Sequence, residues 1–113
     1  MRNSDLQKAR AKVLLQDAKV AELSFATRMS CAFDAVYYYV AQLNESATYK
    51  KPPSSPDEQT LLNGLRKVGS SEADIQTAQK LLYWYVNQWE LAPPPCSVED
   101  AIAWASRITR DGR

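Results

Sequence analysis

Apolar residues recur along this chain at steps of three and four, and no stretch alternates at a period of two with strand-forming residues. Capping residues fall between the apolar runs and divide the sequence into five helices. Asn3, Ser4 or Asp5 supplies a cap for the first, which is expected to reach about Ala21. Its seam is Leu6, Ala9, Val13, Val20 and Leu23, interrupted by Gln16. A second strip of Ala11, Leu14, Ala18 and Ala21 predicts contact with a second neighbour.

Ser24 is placed to cap the second helix, which ends near Asn44. Phe25, Met29, Phe33, Val36, Val40 and Leu43 form a bundle seam, while Cys31, Ala35 and Tyr38 occupy the opposite side. A helix apolar or small all round belongs at the centre of a bundle. Residues Glu45 to Ser55 carry prolines and lysines and read as the substantial loop. Ser55-Pro56-Asp57-Glu58 then offers a full capping box, and the third helix runs through Leu61, Leu62, Leu65 and Val68 to a stop at Gly69.

Ser71-Glu72-Ala73-Asp74 opens a fourth helix with the seam Ile75, Ala78, Leu82, Tyr85, Val86 and Trp89, closed by Pro93-Pro94-Pro95. Ser97 caps a fifth, with Val98, Ala101, Ile102, Ala105 and Ile108 facing inward. Its acids Glu99 and Asp100 stand at the start and Arg107 and Arg110 at the end, as the helix dipole favours. The predicted fold is all-α: one domain over residues 1–113, a compact bundle of about five helices with two long antiparallel helices at its centre.

Composition narrows the chemistry. The chain is 45% apolar and 24% charged with a net charge of +1, which excludes a disordered chain and a generic polyanion binder. It contains no His, so Ser-His-Asp triads, His-ligated zinc and His general bases are excluded. Gly64, Gly69 and Gly112 cannot spell a phosphate-cradling loop. Cys31 and Cys96 stand apart rather than in a metal-ligating pair, and a single disulfide between them is weakly indicated. No cofactor is expected. The first residues lack the apolar core of a signal peptide, and the longest apolar run, Ala35 to Ala41, is far short of a membrane span. A soluble cytoplasmic protein with no membrane partner is the expectation.

Aromatic residues are the most unusual feature: Tyr37-Tyr38-Tyr39 on the second helix, Tyr83-Trp84-Tyr85 on the fourth, and Trp89 and Trp104. Consecutive helical residues turn by ~100°, so three in a row cannot all face one core. Tyr38 lies opposite its seam and Trp84 roughly 140° from its own. Either a central helix buries them with their polar atoms satisfied, or they form a protein-contact patch with Tyr83 and Trp104. A stacked small ligand among Tyr37, Tyr39, Tyr85 and Trp89 is the third placement.

Asp34 reads either as a carboxylate of raised pKa or as a rim residue paired with Arg28 or a lysine. The pairs Asp57/Glu58, Glu72/Asp74 and Glu99/Asp100 fall in first helical turns, where capping explains them. Lys8, Lys12 and Lys19 line one side of the first helix, interrupted by Leu15, and read as a solvated face rather than a nucleic-acid footprint. A DNA-reading helix-turn-helix over Leu61 to Ile75 is rejected, because its second helix opens with Glu72, Ala73 and Asp74, which repel phosphate.

The stretch from Ala21 to Ala41, with its Leu23-Ser24 turn, Arg28 and Ala32-Phe33-Asp34-Ala35 core, resembles the opening of small bacterial HEPN-like helical-bundle proteins. The resemblance implies a bundle of four or five helices that pairs with itself, in a superfamily holding toxin–antitoxin components and ribonucleases. The ribonuclease branch carries an Arg followed shortly by a His, and without a His that dyad has no position in this chain. The expected function is a small binding or assembly module, homodimeric through Tyr38, Trp84, Tyr83 and Trp104; an enzyme on a small substrate is the third class, for which the sequence offers no assembled acid–base or nucleophile set. The alternative is a HEPN-like toxin–antitoxin or regulatory component that contacts RNA or nucleotide.

Overall fold

A computed structural model describes residues 3–41, 57–87 and 93–110. Among them the regular elements are α-helices: α1 (Asn3–Ala18), α2 (Phe25–Ala41), α3 (Glu58–Lys67), α4 (Glu72–Val86) and α5 (Val98–Arg110). The all-α bundle is as expected, and α2 lies at its centre, packing against each of the other four helices.

The helix ends follow local hydrogen-bond chemistry. Ser24 Oγ accepts from the Thr27 amide at 3.2 Å, Ser71 Oγ from Asp74 at 3.1 Å and Ser97 Oγ from Asp100 at 3.1 Å. For α3 the cap is Asp57 rather than Ser55: its carboxylate accepts from the Thr60 amide at 2.9 Å and the Thr60 hydroxyl at 2.8 Å. Ser55 and Pro56, like the loop over 45–55, lie outside the described residues. The other end of α3 is a Schellman turn. Ser70 N–H donates to Leu65 O and Gly69 N–H to Arg66 O, with Gly69 at φ 74°, which glycine adopts without a Cβ penalty.

Two ends fall earlier than expected. α1 stops at Ala18, whose carbonyl accepts a 2.8 Å hydrogen bond from Arg28 Nε, placing a cation at that helix's negative end. α4 stops at Val86, well before the proline run, because Asn87 caps it and its amide side chain donates back to Tyr83 O at 2.8 Å.

The core gathers Met29, Phe33, Val36 and Val40 of α2 with Leu61 and Leu65 of α3, Leu81 of α4 and Trp104 of α5, all with no more than 1% exposed. Gly64 lets α3 approach closely, since a β-carbon there would lie 2.5 Å from Val40 Cβ and 2.7 Å from Val40 O. The seam expected for α1 is corrected: Val13, Val20 and Leu23 are exposed, and the alanine strip of Ala11 and Ala18 is buried instead. Small residues let that helix sit close to its neighbours, so the inward stripe is chosen by fit rather than by bulk. Leu43 lies outside the described residues.

Candidate functional site

The aromatic residues of α2 and α4 divide into structural and outward-facing ones. Phe33 is the hub, with its ring 4.8 Å from Tyr85 and 6.3 Å from Tyr37, centroid to centroid. The Tyr37 hydroxyl accepts from the Asp57 amide at 3.0 Å and so ties the start of α3 to α2. Tyr39 is buried on another side, beneath α1. The expected pocket of Tyr37, Tyr39, Tyr85 and Trp89 is therefore not assembled as a unit, and Trp89 lies outside the described residues.

Asp34 does not pair with Arg28, which is committed to Ala18 O. It accepts a hydrogen bond from the Tyr85 hydroxyl. Burial raises the Asp34 pKa above the usual carboxylate range, and the Tyr85 hydrogen bond partly offsets it. Burial likewise raises Tyr85, with the Asp34 hydrogen bond and charge adding to it. Cys31 and Cys96 are free thiols, and burial is the main cause that raises the pKa of each. Among the described residues no cluster of three or more His, Cys, Asp or Glu side chains is placed to hold a metal ion.

The candidate interface is corrected at two of its four residues, Trp84 and Trp104. Trp84 is 5% exposed and Trp104 is 1% exposed within the single chain. Tyr38 is half-buried, with the Arg10 guanidinium of α1 5.3 Å from its ring centroid. The helical wheel failed here because α4 meets both α2 and α3, so its buried arc is wider than a single seam. Tyr83 remains, 67% exposed.

Tyr83 stands at an apolar groove of about 500 Å³ walled by Trp84, Pro93 and Pro95, with Gln79 and Lys80 at its margin. The exposed Val86 follows on the same edge of α4, three residues on from Tyr83. A second groove, about 400 Å³, lies along α1. Lys8, Lys12 and Lys19 are in its lining with Ala11, Leu15 and Tyr39, and Thr109 of α5 closes it. The lysine spacing was legible in the sequence, but a concave surface between them was not.

Sequence spacing also missed the tie between α4 and α5. Asp74 binds Arg107 through both carboxylate oxygens, at 2.7 and 3.4 Å, and its backbone carbonyl accepts from Trp104 Nε1 at 3.0 Å. No protein-family model matches the chain, and no curated protein or solved structure matches it significantly. Among the described residues no helix is long and apolar enough to cross a membrane.

Proposed function

We propose that this protein is a small binding and assembly module that pairs with a second copy of itself through the outward edge of α4. The observation that carries this is Tyr83, a large ring left 67% exposed directly beside an apolar groove walled by Trp84, Pro93 and Pro95. An exposed ring that lines an apolar groove offers both halves of an isologous contact: under a two-fold axis each Tyr83 packs on the groove of the partner. Tyrosine is also a favoured anchor at such interfaces, with a large ring and little rotamer entropy to lose.

Sedimentation velocity over a concentration series tests this. The wild-type chain is expected to dimerise and Tyr83→Ala to remain monomeric, with the same thermal midpoint as the wild type at concentrations where the wild type is itself monomeric. Trp84→Ala is expected to cost about 3–5 kcal/mol of stability, because the ring is buried within its own chain, and to remove a wall of the groove as well. A wild-type monomer at every concentration would overturn the proposal.

The second reading is a HEPN-like regulatory component that contacts RNA or nucleotide. It is favoured by the resemblance over residues 21–41 and by Lys8, Lys12 and Lys19 on one groove. Affinity for an RNA oligonucleotide that falls steeply with salt would mark it. The apolar side chains between those lysines count against it, since a phosphate backbone gains nothing from Leu15 or Tyr39.

A further inference from the structure

The groove along α1 combines features that a solvated helix face does not need. Lys8 and Lys12 are one turn apart, and Lys19 stands at the far end. Among the described residues no acidic side chain lines the groove and none of the three lysines is ion-paired. Between the cations lie Ala11, Leu15 and the nearly buried ring of Tyr39. Lysine stems add apolar surface while their ammonium groups stay at the water boundary. The volume, about 400 Å³, lies within the range of small-molecule sites.

From this we infer that the α1 groove binds a single-chain anionic amphiphile of the fatty-acid type. The acyl chain lies against Leu15, Ala11 and Tyr39, and the carboxylate meets the lysine ammonium groups at the rim. Charge complementarity selects the head group, and the apolar walls select against fully hydrophilic anions such as inorganic phosphate or a nucleic-acid backbone. This site shares no lining residue with the α4 edge and does not depend on self-association.

Titration calorimetry with laurate, below its micelle concentration, tests the inference on the full chain. One laurate is expected to bind per chain, with dodecanol, butyrate and inorganic phosphate each weaker by at least about tenfold. The Lys8→Gln/Lys12→Gln/Lys19→Gln variant changes surface side chains and is expected to fold, with laurate affinity down by at least about tenfold. Thr109→Phe keeps every charge and fills the groove, so it too is expected to abolish binding; its circular dichroism melt verifies the fold. Absence of laurate binding to the wild-type chain would overturn the inference. So would dodecanol binding as tightly as laurate, or an RNA oligonucleotide or phosphate outcompeting it. Affinity unmoved by both variants would overturn the location.

Discussion

α5 and α1 both pack on the central α2, but by opposite means. α5 buries Val98, Trp104 and Ile108 along one stripe, with Ala101 and Ala105 between them. α1 buries Ala11 and Ala18, half-buries Leu14 and Leu15, and leaves Val13 54% exposed. A buried Val or Ile side chain is worth roughly 1.5–3 kcal/mol, and one methylene-sized group about 0.8 kcal/mol. Bulk and the Asp74 contacts lock α5, whereas α1 is held by closeness and by the Arg28 bond to Ala18 O. The helix that buries only alanines among its described residues is also the one whose outer face carries a groove and three lysines.

The contrast can be broken at either end. Trp104→Ala should have the largest effect, about 3–5 kcal/mol in urea unfolding, because it removes a fully buried ring and the hydrogen bond to Asp74 O. Gly64→Ala follows, at about 1–3 kcal/mol, since backbone and side chain of Val40 occupy the space and the gain in helix propensity is smaller. That loss would show that a small-residue contact can be as demanding as a bulky one.

Asp34→Asn gives a smaller, pH-dependent effect. Burial raises the Asp34 pKa in the fold, so the folded chain binds more protons than the unfolded one just above pH 3.8, the ordinary value. Stability from this group is therefore full below that pH and declines as pH rises through the folded pKa. The difference in unfolding free energy, variant minus wild type, should grow from pH 4 to pH 7, the variant's amide oxygen still accepting from Tyr85. A flat difference would place Asp34 in ordinary solvent. Val13→Ser should have the smallest effect, within about 0.5 kcal/mol, because Val13 is mostly exposed.

The helix boundaries were legible wherever they depend on a few neighbouring residues. Ser24, Ser71 and Ser97 cap as their positions imply, and Gly69 terminates α3 because one left-handed residue decides that turn. α2 also announced its centrality through small and apolar residues on all sides. What stayed hidden depends on distant partners. Nothing local tells Tyr83 from Trp84, adjacent aromatics of which one is exposed and one buried. Asp74 looked like a capping acid because Arg107 lies 33 residues away. For α1, Val13, Val20 and Leu23 outweigh alanines on any hydropathy scale, so periodicity favours the wrong face. The site was less legible than the fold for the same reason. The lysines could be counted in the sequence, but the groove exists only once α1, α2 and α5 meet.

Native-state hydrogen exchange tests the division between a locked and a lightly held helix most directly. Amides from Trp104 to Ile108 are expected to exchange only through global unfolding, while those from Ala11 to Ala18 exchange through a local opening of lower free energy. Equal protection of the two segments, or greater protection of α1, would contradict the account.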